Sequence, residues 1–280
     1  MKFAVETYAL FKFFGVKKTL DLIKKAEFDA IDFSYYALDE KSTDNILGED
    51  YKNFAHKIKE YLCENGLVCN QAHAPYEVDE SDNFDLTNQR FKRLVNSLES
   101  ASILGAKNIT VHAVSNDFEI NYNFYKSLEK YCEKFQICVS VENLWTENFG
   151  VERLGTPESL NRLVEKLDSK YFNICLDLGH AELTYGSAEQ FILNVNKEKF
   201  KAIHIHDTLN EDNHYLPFLG KQNWDGIVKS LREVGYSGDL TFEIFGYLLN
   251  LCHNEETALN ALKLANSVGK VLISKFEKLV

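Results

Sequence analysis

Phe172-Asn173-Ile174-Cys175-Leu176-Asp177-Leu178-Gly179-His180 is a short, mostly apolar run that ends in an acid, a glycine and a histidine. A buried strand of a parallel sheet is nearly continuous in apolar residues, because both its faces are covered. An aspartate at the end of such a strand is out of place unless it performs a task. Seven further runs of this kind recur along the chain, at residues 3–8, 30–35, 68–74, 108–113, 137–143, 202–207 and 240–245. Between them lie stretches with helical spacing, at residues 17–27, 50–65, 87–104, 124–134, 159–167, 188–195, 224–234 and 255–275. Within the third of these, Phe91, Leu94, Val95, Leu98, Ala101 and Ile103 fall mostly on one stripe, as in a helix laid on a sheet. Gly66 and Gly105 stand where a left-handed residue closes a helix, and Thr156-Pro157 reads as an N-cap followed by a first-turn proline.

Strand then helix, eight times over, implies parallel strands joined by right-handed crossovers, and eight such strands close on themselves. The expected fold is a single (β/α)8 TIM barrel occupying residues 1–280, a length ordinary for that architecture. An open doubly wound sheet is the alternative, but no glycine-rich nucleotide loop follows the first strand. No Pro/Gly/Ser linker or low-complexity tract divides the chain.

Polar residues recur at the strand ends: His73 after Gln71-Ala72, His112 after Val111, Glu142-Asn143 after Val141, Asp177 after Leu176, His204-Ile205-His206-Asp207, and Glu243 after Phe242. In a closed barrel these ends converge on one mouth. Glu142, Asp177, His204 and Glu243 come from consecutive strands, and buried unpaired carboxylates are too costly to gather without a compensating cation. Three carboxylates and an imidazole suit one divalent ion, Mn²⁺, Mg²⁺, Co²⁺ or Zn²⁺. His206 shares the inward parity of His204, so either can be the imidazole ligand. Taken singly, each acid also reads as a helix cap or ion-pair partner, and His73 and His112 as hydrogen-bonded core residues.

With 31 Lys and Arg against 42 Asp and Glu, the net charge of −11 repels phosphate backbones and anionic membranes, so neither nucleic acid nor membrane is expected as a partner. The first residues lack a signal-peptide pattern, and six scattered cysteines form no C-x-x-C pair, which together suggest a reduced, cytoplasmic setting. A homo-oligomer is compatible with the chain.

At these strand ends the chain resembles the sugar-phosphate isomerase/epimerase superfamily. These are xylose-isomerase-like TIM barrels that include ketose 3-epimerases, hydroxypyruvate isomerase, inosose dehydratase and, more distantly, endonuclease IV. The resemblance runs from Phe3-Ala4-Val5 to Glu243-Ile244-Phe245. It implies a metal-dependent isomerase or epimerase acting on a small carbohydrate or keto acid, with Glu142, Asp177, His204 and Glu243 as ligands. Glu142 and Glu243 are then the catalytic acid/base pair on opposite faces of the substrate. His180 matches the family's D-x-x-H histidine as a substrate contact, and His73, His112 and His206 join it around the substrate. Asn143 is expected to orient Glu142. Leu219-Gly220-Lys221-Gln222-Asn223-Trp224 resembles the family's glycine-rich segment, with Gln222 in place of its second glycine, and brings Lys221 and Trp224 in as substrate contacts.

A dehydratase on the same site is the alternative reaction. Abasic-site cleavage and a non-catalytic sugar-binding barrel rank lower. His73 and His112 match metal ligands of endonuclease IV, which binds three zinc ions. The D-x-H pair that completes its cluster is not recognised between Asp207 and Trp224, where only Asp212-Asn213-His214 comes near. Tyr8, Phe11, Phe13, Phe14, Tyr35 and Tyr36 are candidate pocket aromatics. Gly220 and Gly246 lie where such barrels hold phosphate.

Overall fold

The computed structural model describes residues 1–35, 48–145 and 154–278. Its strands are β1 (Phe3–Glu6), β2 (Ala30–Ser34), β3 (Val68–His73), β4 (Asn108–Val111), β5 (Cys138–Glu142), β6 (Phe172–Asp177), β7 (Phe200–Ile205) and β8 (Leu240–Phe242). All pair in parallel in sequence order, and β8 returns to β1 to close the barrel. The expected barrel is therefore present. β7 begins earlier than the apolar pattern suggested, because the exposed Lys201 interrupts it.

The helices are α1 (Tyr8–Lys25), α2 (Tyr51–Glu64), α3 (Gln89–Leu104), α4 (Phe118–Phe135), α5 (Pro157–Leu167), α6 (Leu178–Tyr185), α7 (Ala188–Asn194), α8 (Trp224–Glu233), α9 (Phe245–Leu249) and α10 (Glu255–Lys278). The first starts well before the expected residue 17, and Gly15, at φ +66°, kinks it where no side-chain-bearing residue sits comfortably. The short helices α6 and α9 leave no amphipathic signature and were not expected.

The α3 stripe buries Phe91, Leu94, Val95, Leu98, Ala101 and Leu104, while Ile103 lies off it and is only partly buried. Asn88 caps this helix by accepting the Phe91 N–H at 3.0 Å, and Gly105 closes it at φ +93°. Replacing Asn88 with alanine leaves that N–H without its partner and should cost about 1 kcal/mol. A thermal melt of this variant should fall by roughly 2–4 °C, and an unchanged melt would mean that water serves the helix end equally well.

On the outside of the sheet, under α10, Phe242 meets Phe3 edge-on at 4.5 Å, Phe3 stacks on Phe28 at 5.1 Å, and Gly269 leaves room for the Phe3 ring. The barrel interior carries the polar side chains, with Glu6, Asp32 and Gln71 buried below the C-terminal mouth. Among the described residues, no helix is long and apolar enough to cross a membrane.

Candidate metal centre

Glu142 and Asp177 end β5 and β6, His204 is the penultimate residue of β7, and Glu243 follows β8. The structure brings all four together, with one candidate ligand atom from each lying within 4.8 Å of the others. His204 Nδ1 is 2.6 Å from Glu142 Oε1 and 3.3 Å from Glu243 Oε2. Asp177 also caps α6 by accepting the His180 N–H at 2.7 Å, so the helix-cap reading of this acid holds.

Two more groups flank this one. On one side His73 and His112 face Glu142, with His112 Nε2 at 2.8 Å from Glu142 Oε2 and the two His Nε2 atoms 3.1 Å apart. His73 Nδ1 lies 2.9 Å from the Ala74 carbonyl, which accepts its N–H, and its Nε2 faces His112. On the other side His180, His206, Asp212 and His214 form a group. Asp212 Oδ2 is 3.2 Å from His180 Nε2, and its Oδ1 is 3.0 Å from His214 Nε2. The Nδ1 atoms of His180 and His214 donate to the Asn143 and Glu243 carbonyls, both at 2.9 Å, so the Nε2 of each ring faces Asp212, donating to it when protonated and open to an ion when not.

This corrects the sequence reading of the segment after β7, because Asp212-Asn213-His214 does supply a D-x-H pair at the site. The antiparallel bridge between Asp207 and Tyr215 folds the loop back over the mouth, which no periodicity in the sequence announces. Cys175 also stands within reach of Glu142 and His204, but burial pushes its thiol up to about 12, which suits a residue of the core.

The remaining expected contacts divide. His73, His112 and His180 line the central cavity of about 280 Å³, together with Tyr8. His206 is buried beneath it, its Nε2 at 2.9 Å from both Asp177 oxygens. Asn143 does not touch Glu142 through its side chain. It holds the Asp177 backbone instead, accepting from Asp177 N at 2.7 Å and donating to Asp177 O at 2.9 Å, and so ties β5 to β6.

Lys221 is exposed, and neither it nor Trp224 lines the cavity. Buried Trp224 donates its indole N–H to Asp207, and Gln222 reaches back to the His206 carbonyl, so this segment braces the loop that carries Asp212 and His214. Phe11 and Tyr35 pack in the core, while Tyr36 lies outside the described residues. Three glycines serve close packing. A Cβ at Gly179 would stand 1.9 Å from the His206 ring, one at Gly220 2.2 Å from Asp207, and one at Gly246 1.8 Å from the Asn213 carbonyl.

Burial by itself raises every carboxyl here. In Glu142 that effect is outweighed by His204 and by hydrogen bonds from His112 and His73, which hold the group well below the usual carboxylate range. Asp177 is likewise lowered to about 2, against burial, by His180 and His206. Glu243 goes the other way, since burial together with the charges of Glu142 and Asp177 pushes it well above its ordinary value despite His204. Deeper in the barrel, Glu6 on β1 is raised to about 8 by burial and by Asp32 on β2. Glu6 and Asp32 were not singled out from the sequence, although each is an acid inside an apolar strand.

The donor chemistry fits a divalent cation. Among the described residues, the cavity lining contains three acids and four histidines and neither lysine nor arginine, so none of them supplies a compensating positive charge of fixed sign. A closed four-residue centre flanked by histidine groups offers places for more than one ion.

The similarities agree with this geometry. The model of the xylose isomerase-like TIM barrel family matches residues 20–267. An uncharacterized protein of Sinorhizobium fredii, y4fM, is 26% identical over 268 residues, covering 82% of this chain and 81% of its own. Among solved structures, the IolI protein with a bound zinc atom has a TM-score of 0.77 at 16% identity, covering 99% of both chains. A D-tagatose 3-epimerase-like protein has a TM-score of 0.74 at 19% identity, covering 98% of this chain and 99% of that one. At such identities the structures speak for the fold alone, whereas the sequence model reaches across nearly the whole barrel. The chain belongs to the xylose isomerase-like TIM barrel family.

Proposed function

We propose that the protein is a divalent-metal-dependent isomerase or epimerase of a sugar, sugar phosphate or small keto acid. The observation that carries this reading is the convergence of two carboxyls, Glu142 and Glu243, on one small cavity, with one candidate ligand atom from each lying within 4.8 Å of those of Asp177 and His204. Two carboxyls so placed supply a base and an acid. Glu142 removes a carbon-bound proton beside a carbonyl, and Glu243 delivers one to the opposite face. A bound divalent cation would polarise the carbonyl and stabilise the negative charge that develops on neighbouring oxygens. His180 is placed to hydrogen-bond a substrate oxygen, and its ring is fixed by the Asn143 carbonyl.

A cavity of about 280 Å³ is at the small end of ligand sites, suited to a monosaccharide. That several structural neighbours bear epimerase names, a 3-keto-D-glucoside 4-epimerase among them, supports the same substrate class. The six cysteines are all unpaired, in keeping with a cytoplasmic setting.

One observation favours a second reading. The flanking groups at His73/His112 and at His180/Asp212/His214 would let the site hold three ions, an arrangement suited to phosphodiester cleavage. The charge of −11 and the narrow cavity weigh against a nucleic-acid substrate.

The deciding experiment is proton NMR of a ketose and polyol panel in D2O with Mn²⁺, Co²⁺ or Zn²⁺, run beside an abasic-oligonucleotide nicking assay and elemental analysis. Exchange of a carbon-bound proton with hydroxyls retained is the expected result. Loss of water would assign a dehydratase, nicking would assign the nuclease, and protein that binds none of these metals would overturn all three.

A further inference from the structure

Asp32 belongs to none of the metal groups, yet its side chain is wholly buried inside the barrel on β2. Its Oδ2 faces His204 Nε2 at 3.1 Å and accepts the Gln71 side-chain N–H from β3 at 2.7 Å. Its Oδ1 is buried without a hydrogen-bond partner among the described residues. A buried acid with one oxygen unsatisfied costs free energy, so its presence calls for a compensating role at the other oxygen. The β2–β3 register also shifts between Ile31 and Asp32, an irregularity of the kind that re-aims a side chain next to a site.

On the far edge of the same ring, His204 Nδ1 faces Glu142 Oε1 and Glu243 Oε2. We propose that Asp32 is the positioning residue of the metal centre: it accepts the Nε2–H of His204, fixed from behind by Gln71, and so presents Nδ1 to a cation held with Glu142, Asp177 and Glu243. This inference rests on the metal reading given above. A coordinating imidazole nitrogen must be free of its proton, and a carboxylate behind the ring selects that tautomer, sets the ring angle and raises the basicity of the ligand nitrogen.

The proposal also separates two histidines that strand parity leaves equivalent. Among the described residues His206 has no carboxylate behind it; its Nε2 is directed at Asp177, and its Nδ1 lies 3.4 Å from the Asp207 carbonyl. His204 is therefore the ring held for the central ion, and His206 supports Asp177.

The test uses the full chain with zinc as the probe. Asp32→Asn keeps the shape and removes the charge, and competition with a chelating dye should show zinc at the His204-dependent site bound roughly 10–100-fold more weakly. His204→Ala identifies that site by abolishing it. Independently of any variant, nitrogen-15 NMR of zinc-loaded wild-type protein should show His204 coordinated through Nδ1, with an exchange-protected Nε2 proton far downfield. Wild-type zinc affinity in Asp32→Asn, with the site still lost in His204→Ala, would overturn the role of Asp32 alone, as would coordination through Nε2. Zinc binding untouched by either substitution would overturn the metal reading and this inference together.

Discussion

Glu142→Gln should lower turnover by about 10²–10⁴-fold, the range expected when a positioned acid or base is removed, and should empty two metal groups together. The reason is topological. Glu142 ends β5 at the centre of the row of strand-end ligands, and its two oxygens serve different neighbours: Oε1 meets His204 and Oε2 meets His112. It is therefore a member of the His73/His112 group as well as of the group formed with Asp177, His204 and Glu243. Glutamine preserves the shape but not the charge that holds either ion. Glu243 belongs only to the central group, so Glu243→Gln should show a comparable loss of turnover while the His73/His112 group keeps its metal. Elemental analysis alongside turnover measures both quantities. Undiminished turnover in both variants would remove the two-carboxylate scheme, and equal metal loss in both would contradict the shared role assigned to Glu142.

The ease with which Glu142, Asp177, His204 and Glu243 could be read from the sequence, compared with Asp212 and His214, has a physical origin. The first four interrupt apolar strands, where solvation makes a charged residue conspicuous, and the strand-helix alternation fixes both their order and the end of the barrel on which they fall. Asp212 and His214 sit in a loop already rich in polar residues, where another acid is unremarkable. The bridge from Asp207 to Tyr215, the Glu243 carbonyl at His214 and the packing of Gly246 against Asn213 bring them to the mouth, and these are tertiary facts. Lys221 and Trp224 show the converse. The segment is distinctive in sequence, but its distinctiveness serves Asp207, which accepts from the Phe218 and Gln222 backbone and from the Trp224 indole. Glu6 and Asp32 were legible by the same rule that exposed Glu142. Val5-Glu6-Thr7 and Ile31-Asp32-Phe33 place an acid between apolar or β-branched neighbours, one layer deeper in the barrel.

That deeper layer gives the protein a pH dependence that a single substitution should remove. Burial and the neighbouring Asp32 raise the Glu6 carboxyl from 4.5 to about 8, so the folded state keeps this proton over a range in which the unfolded chain releases it. The sign follows directly. Below about pH 4.5 both states are protonated and stability is whole. As pH rises toward 8 the unfolded state is favoured by up to about 1.4 kcal/mol per unit, and above 8 the deficit stays constant. Glu6→Gln keeps the side-chain oxygen that accepts the Tyr8 N–H at 2.7 Å and cannot ionise. With metal withheld by a chelator, wild type and variant should unfold in urea at nearly equal free energy at pH 4.5. The variant should lead by on the order of 4 kcal/mol at pH 8, because titrations remote from Glu6 cancel in the difference. Two curves that stay parallel from pH 4.5 to 8 would show that Glu6 does not hold its proton in the folded barrel.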